Sequence, residues 1–167
     1  MVIHKDAYDK KNEEETKKPT VLVSGGFDPI HVGHIRMIQE AAEYGGVVIV
    51  ANSDNWLYKK KGFVFMEWER RVEILSAIKG VISVDSVDDS DGTVCEAIRR
   101  LNPTYFANGG DRGRANTPEQ SVCKEMDVKL LWSIGGDEKA DSSSDLAKKV
   151  RNFELPPFRS SPKPSDR

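Results

Sequence analysis

Short apolar runs rich in β-branched residues alternate along the chain with stretches whose apolar positions recur every three or four residues. The first pattern is that of buried strands and the second that of amphipathic helices. A strand is predicted at 20–24 (Thr-Val-Leu-Val-Ser), running into glycines. A helix follows over 35–44, with Ile35, Ile38, Ala41 and Ala42 on one side and Gly45-Gly46 as its stop. Further strands are predicted at 47–51, 81–87, 105–107 and 128–132. Helices are predicted at 67–78 (Val72, Leu75 and Ile78 on one side), 93–101, 118–126 and 144–151. Five strands alternating with helices call for a parallel sheet covered on both faces, an α/β fold. In such sheets ligands sit beyond the carboxyl ends of the strands, where the winding reverses.

The ends of the chain break this rhythm. Residues 1–18 are dense in mixed charge and read as a solvated arm. Residues 153–167 hold Pro156, Pro157, Pro162 and Pro164 among serines and read as an extended tail. The domain is therefore expected over 19–152, and 167 residues suffice for one sizeable core. A formal net charge of -2 supplies no global basic field, which argues against nucleic acid or an anionic membrane as partner. No apolar run approaches the roughly 18 residues of a membrane span, and acidic residues occupy the N-terminus where a leader would be apolar. The expected location is the cytoplasm. Cys95 and Cys123, with no Cys-x-x-Cys spacing, read as reduced, half-buried side chains.

The most informative segment follows the first strand: Gly25-Gly26-Phe27-Asp28-Pro29-Ile30-His31-Val32-Gly33-His34. Glycines let a backbone turn sharply and approach a ligand. A helix start offers unpaired N–H groups and a positive dipole end, which suits phosphate. His31 and His34, two of only three histidines, lie three apart and share a face of the first helical turn. Two imidazoles there can donate to a phosphoryl group as charge builds on its oxygens, which is most of what phosphoryl and nucleotidyl transfer require. Packing or capping is the bland alternative, and zinc binding competes for a bare His-x-x-His pair.

Gly25-Gly26-Phe27-Asp28 and His31-Val32-Gly33-His34 resemble the signature of the cytidylyltransferase-like superfamily, and the likeness runs from Thr20 to Asn152. It takes in Asn52-Ser53-Asp54, the Lys59-Lys60-Lys61-Gly62 loop, Glu69-Arg70-Arg71, Gly109-Gly110-Asp111 and Ser142-Ser143-Ser144, in the family's order. The resemblance implies a Rossmann-like, doubly wound, five-stranded sheet. It implies Mg²⁺-assisted attack of an acceptor phosphate on the α-phosphate of an NTP, with pyrophosphate released. His31, His34 and Lys61 are then the catalytic candidates, Lys61 gripping phosphates from its loop. Gly25, Gly26, Phe27, Asp28, Gly33, Gly109, Gly110, Asp111 and the three serines are the nucleotide-binding candidates. Homodimers are common in the family, although no interface patch is readable here.

Each supporting residue also has an ordinary reading. The lysine run is commonly a solvated surface. Arg71 either holds an acceptor phosphate, as guanidinium geometry suits, or makes a weak surface pair with Glu67 or Glu69. Gly109-Gly110-Asp111 lines the base pocket or is a plain turn. Ser142 to Ser144 cap the last helix, a role compatible with binding the outer phosphates. Glycerol-3-phosphate cytidylyltransferases carry Arg-Thr-Glu-Gly before their serine-threonine motif, whereas this chain has Asp137-Glu138-Lys139-Ala140. Asn52, Asp54 and Gly109-Gly110-Asp111 resemble heptose 1-phosphate adenylyltransferase domains more closely, with Asn52 and Asp54 on the acceptor. ATP and a sugar phosphate are favoured. CTP with glycerol 3-phosphate or another polyol phosphate is the runner-up, and a nucleotide-binding protein without turnover the alternative of another class.

Overall fold

The computed structural model describes residues 17–109, 116–136 and 142–152. Its strands are β1 (Thr20–Gly25), β2 (Gly46–Ala51), β3 (Val81–Asp85), β4 (Tyr105–Gly109) and β5 (Lys129–Ile134). Its helices are α1 (Val32–Ala41), α2 (Asp54–Lys61), α3 (Trp68–Ser76), α4 (Cys95–Leu101), α5 (Pro118–Glu125) and α6 (Ser143–Arg151). The strands form one sheet in the order β3-β2-β1-β4-β5, and every pairing is parallel. The chain winds outward from β1 to β3, returns beside β1 as β4, and winds outward again to β5. The doubly wound, Rossmann-like α/β sheet expected from the sequence is the one observed, with its reversal between β1 and β4.

Residues along β1 separate by alternation. Val21 and Val23 join Val47, Ile49, Ala51 and Ala107 on one face, under Ile38 and Ala41 of α1 and Leu75 of α3. Leu22 joins Val50 and Phe106 on the other, under Ala97 and Ile98 of α4 and Val122 and Cys123 of α5. Each Val, Leu, Ile or Phe among them contributes about 1.5–3 kcal/mol when fully buried. Cys95 and Cys123 are buried free thiols in the second core, more deeply placed than half-buried. Burial pushes the Cys123 thiol up to about 11, with Cys95 and Glu119 adding to the effect.

Three predicted features change. Helix α1 starts at Val32, three residues before the predicted onset, because His31 supplies its N-cap. The Lys59-Lys60-Lys61 run is no loop: it is the last turn of α2, a helix the sequence pattern did not predict. Ser53 caps this helix by accepting from Trp56 N at 3.1 Å, and Gly62 closes it with φ 81°. The three lysines there complement the negative end of the dipole. Finally, Gly109 is the last residue of β4 rather than part of a turn. Gly110, Asp111, Asp137 to Ala140 and, apart from Lys17 and Lys18, both predicted tails lie outside the described residues. Among the described residues no helix is long and apolar enough to cross a membrane.

Candidate active site

The turn between β1 and α1 leaves the sheet beside its reversal, at the carboxyl end of β1. Gly26 is needed there by close approach: a Cβ at this position would lie 2.7 Å from Leu57 and 3.6 Å from the Trp56 ring. Phe27, at φ 51° and 2% exposed, drives into the first core. Asp28 is 1% exposed. Its carboxylate accepts from Phe65 N at 2.7 Å and Met66 N at 2.6 Å, and lies 3.7 Å from the Lys61 ammonium. Lys61 Nζ also donates to the Asp28 carbonyl. Phe27 and Asp28, read from the sequence as nucleotide contacts, therefore build the turn from within. Lys61 is fastened to it from α2.

The two histidines close a capping box in which imidazoles replace the usual hydroxyl and carboxylate. His31 Nδ1 accepts from Gly33 N at 3.1 Å, and His34 Nδ1 accepts from His31 N at 3.2 Å. The rings stack with centroids 3.7 Å apart and planes 24° from parallel, and Phe27 meets His34 edge-on at 4.9 Å. Because each Nδ1 is an acceptor, each neutral ring carries its proton on Nε2, which is then a donor. Burial lowers the His34 pKa to about 3, with the neighbouring His31 and Lys61 adding to the effect. Burial also lowers the Lys61 pKa, and Arg71 adds to this, while Asp28 opposes it. The arrangement is a pair of neutral hydrogen-bond donors beside one ammonium at a helix start.

A second helix start joins it. Ser143 Oγ donates to the Pro29 carbonyl at 2.9 Å, docking the start of α6 on the histidine turn across 114 positions of sequence. Ser142 caps α6, accepting from Asp145 N at 3.0 Å. Ser144 is exposed in its first turn.

Of the residues read as acceptor contacts, Arg71 and Asn52 are buried in a polar frame, and Asp54 stands at its partly exposed edge. Arg71 is 0% exposed, which corrects both readings made of it, a reach to an acceptor phosphate and a surface pair with Glu67 or Glu69. Its guanidinium donates to Met66 O at 3.0 Å, Gly26 O at 2.7 Å, Asn52 O at 2.9 Å and the Asp54 carboxylate at 2.7 Å. A planar five-donor fork satisfies several converging carbonyls where an ammonium could not. Asn52, 3% exposed, donates to Asp89 at 3.1 Å. Asp89 also accepts from Ser53 N at 2.8 Å and Ser53 Oγ at 2.7 Å. Asp89 was not singled out from the sequence, where it is one of several acids after β3; no spacing distinguishes it. Trp56, beside Gly26, was likewise passed over.

His34 gives the structure a pH dependence. Its folded-state pKa lies below the value of about 6.5 for an unfolded histidine. Between these values the unfolded chain binds the proton and the native chain does not, so stability falls as pH drops through this window. The stability difference between wild type and His34→Gln, measured by urea unfolding from pH 7 to pH 4, should shrink by on the order of 3 kcal/mol at about 1.4 kcal/mol per unit. A constant difference would contradict the neutral, buried assignment.

Comparison with known proteins gives the family of the chain. The family described as Cytidylyltransferase-like matches residues 22–149. The FAD synthase of Thermococcus kodakarensis is 39% identical over 103 residues, covering 60% of this chain and 68% of that protein. The bifunctional protein HldE of Geotalea uraniireducens is 31% identical over 150 residues, covering 84% of this chain and 29% of that protein, so the chain spans less than a third of the HldE length. Among solved structures, the lipopolysaccharide core biosynthesis protein of Thermoplasma volcanium superposes with a TM-score of 0.59 at 20% identity, covering 70% of this chain and 96% of that one, a likeness of fold.

Proposed function

This chain belongs to the cytidylyltransferase-like family and is a nucleotidyltransferase, and from that premise we propose that it transfers AMP from ATP to the phosphate of a small acceptor such as heptose 1-phosphate. The observation that carries the proposal is the histidine capping box. Both rings are held neutral and stacked, each with Nδ1 anchored to backbone and Nε2 protonated. An acceptor phosphate oxygen attacks the α-phosphorus, forming one P–O bond. The bond from that phosphorus to its bridging oxygen breaks, and pyrophosphate leaves with the electron pair. The two Nε2–H groups donate to the α-phosphate oxygens as charge builds on them, and the Lys61 ammonium offsets the charge of the polyphosphate. Because the donors are fixed before substrate arrives, no reorganisation is required of them at the moment of reaction.

Gly25, Gly26 and Gly33 let the backbone approach the nucleotide. Gly109, with Gly110 and Asp111 next in sequence, would serve the base and ribose, and Ser142 to Ser144 would hold the outer phosphates at the start of α6. Among the described residues no three acidic, cysteine or histidine side chains cluster as a metal site. Asp28, the carboxylate of the turn, is already committed to Phe65, Met66 and Lys61. This donor set fits Mg²⁺ only as a companion of the triphosphate, held by phosphate oxygens and water, where it supplies charge neutralisation. Adenine is favoured because FAD synthases, by the name of their product, handle an adenine dinucleotide, and because the HldE likeness spans 84% of this chain. The reading also takes the protein to be cytoplasmic, with neither nucleic acid nor membrane as a partner.

The test is pyrophosphate release with ATP or CTP, Mg²⁺ and a panel of heptose 1-phosphate, glycerol 3-phosphate and riboflavin 5′-phosphate. Release with ATP and one acceptor is the expected result. Release with CTP alone would move the reading to a polyol-phosphate cytidylyltransferase. Nucleotide binding without release under every pairing would make the protein a sensor.

A further inference from the structure

Strand β5 leaves the sheet by a bend. Ala107 pairs with Leu131 but Gly109 pairs with Ile134, so β5 carries one residue more than β4 over this stretch, a bulge that turns an edge strand. Ser133 stands at φ 55° within it, and Gly135 and Gly136 follow at φ 91° and 87°. Ile134 is held in the first core, and the next residue is seated on helix α1. A Cβ on Gly135 would lie 3.1 Å from Met37 Cα and 3.2 Å from Met37 N, so contact as well as backbone angle requires glycine there. Gly135 N donates to the Glu40 carboxylate at 2.6 Å. Glu40 lies in the last turn of α1, where the helix dipole favours a cation. A carboxylate at that position does nothing for its own helix, and it is satisfied by a partner 95 positions away.

We propose that Glu40 is a positioning residue for the outer-phosphate end of the nucleotide site, acting through the turn at Gly135 that leads to α6. The inference rests on the nucleotidyl-transfer reading and adds a residue to it. Helix α1 is the shared element: His31 is its N-cap, and Glu40 stands in its last turn. The first turn of α6 meets the histidine turn through Ser143 Oγ and the Pro29 carbonyl. Helix α6 brings no buried side chain of its own, so its placement depends on the ties before it and at its start. Glu40 and Pro29 therefore reference the chain from Gly135 to Ser143 to the helix that presents the histidine donors. A hydrogen bond to a carboxylate is among the stronger ones. Without it, the positive-φ turn loses the acceptor that fixes its direction, and the docked placement of Ser142 to Ser144 is less populated. A nucleotide that requires this placement binds more weakly in proportion, and saturating nucleotide restores it. The acceptor, which this reading keeps off α6, retains its affinity.

Three variants test this: Glu40→Ala, Glu40→Gln and Gly135→Ala. Each is assayed by pyrophosphate release with ATP or CTP, Mg²⁺ and heptose 1-phosphate, glycerol 3-phosphate or riboflavin 5′-phosphate, and by calorimetric titration with the nucleotide. Glu40→Ala should raise the nucleotide KM and Kd about fivefold, with kcat and the acceptor KM within about twofold. Glu40→Gln keeps an acceptor oxygen and should recover most of the loss. Gly135→Ala pushes the same turn off α1 and should reproduce it. Hydrogen exchange at the Gly135 amide should quicken at least about tenfold in Glu40→Ala, the worth of one hydrogen bond to a charged group. Quickened exchange with unchanged nucleotide KM and Kd makes Glu40 a structural tie and overturns the proposal, as does an equal loss for nucleotide and acceptor. Unchanged exchange overturns it as well. If wild type releases no pyrophosphate under any pairing, the transfer reading fails, and the nucleotide Kd values then decide the role of Glu40 by themselves. Absence of binding by either nucleotide sinks both.

Discussion

Turnover should fall by at least about a hundredfold when either His31 or His34 is replaced by alanine, the size of loss typical when one preorganised donor is removed from a developing charge. Alanine also removes a capping acceptor, an effect worth about 1 kcal/mol on stability, so the comparison needs a variant that separates the two roles. His31→Asn does so. Asparagine is a good N-cap and can accept from Gly33 N in place of His31 Nδ1, but its short side chain has no donor where Nε2 stands. His31→Asn should therefore keep its unfolding midpoint close to that of the wild type and still lose about two orders of magnitude in kcat. Near-normal kcat in His31→Asn and His34→Ala together would reduce the histidines to caps. Because the rings stack on one another, the double variant should lose less than the product of the single losses.

The second large effect is on the fold. Arg71→Met should cost several kcal/mol, because each buried carbonyl left without its donor costs about 1–3 kcal/mol, while Asp54, 39% exposed, stays partly solvated. Methionine fills the space but leaves the carbonyls of Met66, Gly26 and Asn52 and the Asp54 carboxylate without their donor. Arg71→Lys should recover only part of this, since one ammonium cannot reach four acceptors in a plane. Urea unfolding of the three proteins measures it, and a midpoint for Arg71→Met equivalent to within about 1 kcal/mol of wild type would show that the network is incidental. The same experiment distinguishes this role from acceptor binding, which would raise an acceptor KM and leave stability untouched.

How legible these features were in the sequence depended on whether the responsible contacts repeat. Strands β1 and β2 announced themselves because each has an unbroken run of buried apolar residues, Val21 to Val23 and Val47 to Ala51. The site turn did so because its glycines, Phe27, Asp28 and two histidines fall in ten consecutive positions. Helix α2 was not read because Leu57 is its one buried residue, so it has no apolar period. Its caps, Ser53 and Gly62, were the signals present. Arg71 was misread for a related reason. A charged residue on an amphipathic helix is ordinarily solvated, and its partners lie 5 to 45 positions away, with no common spacing. Asn52 and Asp54 fall after β2 as expected, but Asn52 is turned inward on Asp89, and Asp54, partly exposed, is paired with Arg71.

Helix α6 has no buried residue, and Ser143 ties it to the first turn of the domain. Elements with so little apolar contact open locally at far less than the global unfolding free energy. A triphosphate seated at its start would therefore have to immobilise it, and that ordering consumes part of the binding energy. Nucleotide affinity should accordingly understate the contacts made, and a crosslink fastening α6 to the histidine turn should tighten binding without adding a single new interaction.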